Sequence, residues 1–207
     1  MAKRSTLFLV AGLLLLMAAC SKNSSKENGA NSGQLVGNYQ FLFLTTAINL
    51  TEEASIAGHT AKLVVVSGYK TQQNVGTVVF SADSVIGNGI GYSYDTTTTT
   101  TEYDDGVAQP AQVDPFTGTV PPTSSTSKYQ LIGTDSVYFP GGVLGAGSVV
   151  SGASVPVAPP TGGHYAFKGD TLTIVTNINQ SYPDNINGIP TTANAAVKAT
   201  IYLLKQK

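Results

Sequence analysis

From Leu35 to the C-terminus, apolar and polar positions alternate with a period of two. Tyr39, Phe41 and Phe43 alternate with Gln40, Leu42 and Leu44, and Lys62 to Val66 and Val75 to Phe80 are β-branched runs. Ile86, Ile90, Tyr92 and Tyr94 share one parity, which Thr96, Thr98 and Thr100 continue. Near the end, Val197, Ala199, Ile201 and Leu203 face one way while Lys198, Thr200 and Tyr202 face the other. Alternation with Val, Ile, Thr and Tyr enrichment predicts strands. The one hint of helix is a short turn over Thr51 to Ala57, so the expected class is all-β.

A small unit recurs between these segments: Ser81-Ala82-Asp83-Ser84-Val85, Gly133-Thr134-Asp135-Ser136-Val137 and Lys168-Gly169-Asp170-Thr171-Leu172. Each reads as a tight hairpin turn in which Asp accepts hydrogen bonds from nearby backbone N–H groups. Between the units lie three longer polar or Gly/Pro-rich stretches, Asp104 to Ser127, Pro140 to Gly163 and Ile178 to Asn194. In an up-and-down antiparallel sheet, successive connections alternate ends. Parity therefore predicts the three Asp turns at one end and the three long stretches, as mobile loops, at the other. Val143, Leu144, Val149, Val150, Val155 and Val157 are apolar enough for part of the second stretch to fold inward or add a short strand.

Ahead of this domain the pattern changes. Lys3 and Arg4 precede an apolar run from Leu7 to Ala19, shorter than the ~20 residues a transmembrane helix needs. Leu16-Met17-Ala18-Ala19-Cys20 follows and resembles the lipobox of bacterial lipoproteins. The resemblance implies a signal peptide over residues 1–19, acylation of the Cys20 thiol, and cleavage that leaves Cys20 as the new N-terminus. Each buried CH₂ contributes about 0.8 kcal/mol, so two or three chains anchor durably. Ser21 to Gly33 is rich in Ser, Asn, Lys and Gly and reads as a tether, giving an acylated segment 20–34 and one domain over 35–207. Ser21 after the cysteine resembles lipoproteins sent to the outer membrane, held there on the periplasmic side or the cell surface.

Eight or nine hairpin-connected strands close most readily into a barrel, which removes exposed edges. Gly37-Asn38-Tyr39, Gly76-Thr77-Val78-Val79-Phe80, Gly169-Asp170-Thr171-Leu172-Thr173-Ile174 and Ala199-Thr200-Ile201-Tyr202-Leu203 resemble the lipocalin-like domains of bacterial lipoproteins. The chain has no Trp where lipocalins prefer Gly-x-Trp. An antiparallel up-and-down, lipocalin-like β-barrel is the expectation, with an immunoglobulin-like β-sandwich as the alternative.

Composition narrows the chemistry. Cys20 is the sole cysteine, so neither an intramolecular disulfide nor a cysteine pair for zinc can form. The chain has 11 basic against 12 acidic side chains, and cleavage removes Lys3 and Arg4, which argues against nucleic-acid binding. His59 and His164 show no metal-ligand spacing, and no Gly-x-Ser-x-Gly elbow occurs. Glu102, Asp104 and Asp105 precede Gly106 without the full pattern of a calcium loop, and read as solvated. The expectation is a non-enzymatic protein without metal or cofactor.

Two sets of residues remain as candidates. Tyr39, Phe41, Tyr92, Tyr94, Tyr129 and Tyr165 either line a cavity for a small apolar or glycan-like ligand or fill the barrel solidly. Ser84, Thr96, Ser136 and Thr171 each follow an Asp in triplets that resemble an O-glycosylation motif of one group of Gram-negative bacteria. The function classes are thus a ligand-binding lipoprotein and a cell-surface structural or interaction protein without a small-molecule ligand.

Overall fold

A computed structural model describes residues 35–56, 58–142, 160–186 and 189–207, which form an all-β fold. The signal segment, Cys20, the tether and the apolar residues from Val143 to Val157 lie outside the described residues. In chain order the strands are β1 (Gly37–Ile56), β2 (His59–Lys70), β3 (Gln72–Phe80), β4 (Ser84–Asp104), β5 (Val107–Ala108), β6 (Gln112–Lys128), β7 (Gln130–Ile132), β8 (Ser136–Phe139), β9 (Thr161–Lys168), β10 (Thr171–Ile186) and β11 (Ile189–Lys205). They belong to one antiparallel sheet.

Several strands are halves of longer segments. β2 and β3 are interrupted at Thr71, where Thr71 N–H donates to the Leu44 carbonyl (2.9 Å) and Leu44 N–H donates to Thr71 Oγ1 (2.8 Å). β6 runs through Tyr129 into β7. The pairing then passes from β1 to β11, β10, β9, β8 and β7, continues along the chain into β6, and returns through β4 and β2–β3 to β1. The result is an up-and-down meander that closes on itself, where a sandwich would leave two separate sheets. Residues 51–56 continue β1, because the Glu52, Ala54 and Ile56 parity pairs against β2 across its whole length.

Closure is confined to one end. β7 and β8 have three and four residues, whereas β1, β4 and β11 have 20, 21 and 17. At about 3.3 Å per residue, the long strands outrun the short ones and project as a wall in the order β6–β4–β2–β1–β11–β10. Two of the three stretches read as loops belong to this wall. Asp104 to Ser127 makes a tight turn at Asp105-Gly106 and then forms β5 and β6, and Ile178 to Asn194 is the tip of the β10–β11 hairpin. Their Thr, Asn and Pro content reflects edge strands, not loops. Pro115, Pro121 and Pro122 lie on β6, which among the described residues bonds sideways only to β4, and Pro183 lies on β10 beyond its pairing with β9. Proline on an edge spares the ladder and discourages pairing with another chain.

The three Asp turns do share one end, and a common arrangement holds them. The backbone carbonyls of Asp83, Asp135 and Asp170 accept from the N–H groups of Tyr129 (3.0 Å), Tyr165 (2.7 Å) and Lys205 (2.8 Å) on the next segment. The first two tyrosines also donate their phenol hydroxyls back, to the Ser81 carbonyl (2.6 Å) and the Thr134 carbonyl (3.0 Å). The residue before each tyrosine adds a charged or polar contact: Lys128 meets Asp83 at 2.6 Å and His164 meets Ser136 at 3.1 Å.

Inside this end sits the main core, built from inward positions of β1, β3, β4, β8, β9, β10 and β11 around Tyr39, Phe80, Val85, Phe139, Leu172 and Leu203. Tyr39 meets Phe80 edge-on at 5.7 Å, and Phe80 meets Tyr129 edge-on at 5.4 Å, the geometry that aromatic quadrupoles favour. A smaller cluster of Ile48, Tyr69 and Val197 lies above it on the wall, against Tyr94, Phe116 and Ile178.

Candidate functional site

Five of the six aromatic candidates are buried core residues. Tyr39, Phe41, Tyr92, Tyr129 and Tyr165 are buried in the main core, and Tyr94 is half-buried where the two clusters meet. Burial pushes the Tyr39 phenol up to about 12 and raises those of Tyr92, Tyr129 and Tyr165 as well, because the charged phenolate would lose its water. The space left among Phe41, Leu44, Phe80, Tyr92, Phe139 and their neighbours is a cavity of about 40 Å³. That is well below the roughly 150 Å³ that admits benzene. The closed end is therefore packed by side chains.

The other sequence candidates fall at both ends. Ser84, Ser136 and Thr171 begin the strands after the Asp turns, and the Ser84 hydroxyl is engaged by Ser81 Oγ at 2.6 Å. Thr96 lies on the wall and donates to the Gly68 carbonyl at 2.9 Å. His164, Ser136 and Asp135 bring together the residue types of a hydrolytic triad without its geometry. Ser136 (3.1 Å) and Asp135 (3.9 Å) both address the same His164 Nδ1, on an exposed surface. A working triad needs the nucleophile and the carboxylate on opposite ring nitrogens.

His59 is at the opposite end, where its Nδ1 meets Asp105 Oδ2 at 2.7 Å while Thr60 N–H donates to Asp105 Oδ1 at 2.8 Å. These bonds, the backbone one first, hold the Asp105 carboxyl below its ordinary pKa. They pin the β4–β5 turn to the start of β2. Asp105 adopts a positive φ of 46°, which Asp tolerates better than most residues. Among the described residues, no three His, Cys, Asp or Glu side chains are grouped to hold a metal ion.

A site that the sequence did not single out opens at this hairpin end. A cleft of about 690 Å³ is lined by Glu52, Ala54, Lys62, Glu102, Tyr103, Gln109 and Thr191, among others. Registry explains the convergence: Glu52 pairs with Leu63 and with Ala193, and Leu63 pairs with Glu102. Ala54 and Ala61 face each other and leave room. Lys62 and Tyr103 pair on the opposite face, with Lys62 Nζ 5.9 Å from the Tyr103 ring centre, whereas the buried Thr191 hydroxyl has no hydrogen-bond partner. Of the lining residues, which include Asp104, only Glu102 and Asp104 belong to a cluster visible in the sequence, the acidic run before Gly106. The rest come from separate strands with no shared motif.

The inward face of the cleft thus offers carboxylate acceptors, an amide and a hydroxyl, in a volume within the roughly 300–1,000 Å³ range of small-molecule sites. No protein-family model matches the chain, and neither does any curated protein or solved structure.

Proposed function

We propose that the chain is an exported lipoprotein, anchored in the outer membrane through acyl chains on Cys20, whose lipocalin-like barrel binds a small glycan-like ligand without chemical turnover. The observation that carries the binding reading is the 690 Å³ cleft at the hairpin end, with the polar donors and acceptors of Glu52, Glu102, Gln109 and Thr191. Carboxylates and amides hydrogen-bond vicinal hydroxyls, the polar groups a glycan presents. An apolar ligand, the other class considered, fits less well, because the apolar space inside the barrel is only about 40 Å³. Gly37 pairs with Phe80 beside the first Asp turn, so β1 begins at the closed end and the cleft lies at the opposite one.

The packed core favours a second reading, a surface structural or interaction protein with no small-molecule ligand. Native mass spectrometry of the protein purified from its own outer membrane distinguishes the two. A retained hexose-containing molecule, lost in Glu52→Gln and Glu102→Gln variants, is the expected result, and an empty protein that also ignores added saccharides points to the second. The anchor has its own test: Cys20→Ala should yield an uncleaved or soluble product, and a processed form still in membranes overturns the lipoprotein reading.

A further inference from the structure

Charge is divided unevenly between the two faces of the wall at the hairpin end. Glu52 shares its face with the buried Ile48, four residues earlier on β1. Pairing carries that inward face across the sheet, with Glu52 opposite Leu63 of β2 and Leu63 opposite Glu102 of β4. One row further out, Ala54 stands opposite Ala61, and Ala61 opposite Asp104. Glu52, Glu102 and Asp104 therefore line the cleft from its inward side. Lys62, the cation of β2 at this level, is on the outward face, opposite Glu53 and with its ammonium near the Tyr103 ring. The His59 ring is engaged by Asp105. Among the described residues, the carboxylates of Glu52, Glu102 and Asp104 have neither an ion pair nor a hydrogen bond of their own.

Like charges held around a concave surface repel one another, and a positive guest relieves that repulsion. Spacing says which kind of cation fits. The backbones bearing Glu52 and Glu102 stand about 10 Å apart, one on either side of β2. No three acidic or His side chains among the described residues are grouped to hold a metal ion. The carboxylates thus flank an organic molecule better than they chelate one bare ion. Leu63, Ala54 and Ala61 between them are apolar or small and leave room for a ring. Hydrogen-bonding groups border the same space: the Gln109 amide, and Thr191, which is 6% exposed and whose hydroxyl has no partner. A purely apolar amine would leave both groups unanswered.

We infer that the cleft selects a cationic saccharide, a single amino-sugar ring whose ammonium sits among Glu52, Glu102 and Asp104 and whose hydroxyls meet Gln109 and Thr191. The inference rests on the reading of this cleft as a glycan site and adds a charge requirement to it. A neutral hexose lacks that charge, and N-acetylation of the amine removes it.

The test titrates the full chain with glucosamine, glucose, N-acetylglucosamine and cyclohexylamine, followed by ligand-observed NMR. Mildly acidic pH keeps the amines charged and the carboxylates ionised. Glucosamine should bind about tenfold tighter than any of the other probes, because it alone combines charge-assisted hydrogen bonds with hydroxyl contacts. Glu52→Gln and Glu102→Gln should each weaken glucosamine several-fold and leave glucose unchanged, and added salt should weaken glucosamine more than glucose. Equal binding of glucosamine and glucose overturns the charge requirement and leaves the glycan reading standing. Equal binding of glucosamine and cyclohexylamine shows a plain cation site and overturns both. If wild type binds none of the probes, the cleft is not a saccharide site, and the inference falls with that reading.

Discussion

The two ends of this protein share the long strands β1, β4, β6, β10 and β11, yet they differ in almost every physical respect. At the closed end short strands complete the ring, large aromatic residues fill it, and tyrosines tie the Asp turns to neighbouring segments. At the hairpin end the ring is open, three aromatic rings form a thin cluster, and the residues around the cleft are mostly polar and acidic. Charge follows the same division. Lys128, Lys168 and Lys205 stand by the Asp turns, whereas Glu52, Glu53, Glu102, Asp104 and Asp105 surround the other end with Lys62. The contrast teaches that stability is concentrated where the strands are shortest, and that the long strands spend their length on presenting a surface.

Packing gives the largest expected difference. Phe80→Ala removes a fully buried ring held edge-on by Tyr39 and Tyr129, and should destabilise the protein by about 3–5 kcal/mol. Phe116→Ala at the hairpin end, where the ring is half-buried beside Tyr94, should cost about 1 kcal/mol. Chemical denaturation measures both, and equal losses would erase the distinction between the ends. Next comes local opening. Amides of β2 and β10 near the cleft should exchange hydrogen at least tenfold faster than those of β3 and β8, a difference of about 1.4 kcal/mol in opening free energy. Uniform protection would mean that the wall is as cooperative as the ring.

The tyrosine latches sharpen the comparison further. Tyr129→Phe and Tyr165→Phe each delete one phenol bond to a turn carbonyl and should cost about 1 kcal/mol apiece. Tyr103→Phe, at the hairpin end, should leave the unfolding midpoint unchanged. The smallest effects are electrostatic. Asp83 and Asp105 both sit below their ordinary pKa in the folded protein, Asp83 through the Lys128 ammonium and Asp105 mainly through the Thr60 N–H. A lowered folded pKa adds stability that is present above the unfolded value and is lost as pH falls through the folded one. Asp83→Asn and Asp105→Asn should therefore each flatten the acid limb of the stability profile. Added salt should diminish the Asp83 effect, which rests on an exposed ion pair, more than the Asp105 effect, which rests on a backbone hydrogen bond. Identical salt responses in thermal melts at acid pH would show that both carboxylates act by charge alone.

Candidate residues were less legible than the fold. Tyr39, Tyr129 and Tyr165 read as aromatic positions on strands, but nothing local reveals that two of their hydroxyls close turns a strand away. The cleft was illegible for a related reason. Glu52, Lys62, Glu102, Gln109 and Thr191 occur up to 139 positions apart and meet only because of strand registry. The polar stretches from Asp104 to Ser127 and from Ile178 to Asn194 misled, since edge strands exposed on one side carry the Thr, Asn and Pro that elsewhere mark loops.

What the sequence determined by itself is whatever depends on neighbours along the chain. Two-residue alternation dictates strands because successive side chains point to opposite faces, and the Ser-Ala-Asp-Ser, Thr-Asp-Ser and Gly-Asp-Thr units dictate turns because short polar side chains bond to their own backbone. Parity then put the Asp turns at one end. Tertiary structure alone decided where the ring closes and where it opens, because strand length relative to a partner is a property of pairs. It alone decided that Thr46, Tyr69 and Thr176, ordinary on their own strands, share one buried row. Registry between strands far apart in sequence is fixed by the packing of the whole inward face, and no window of the chain contains that information.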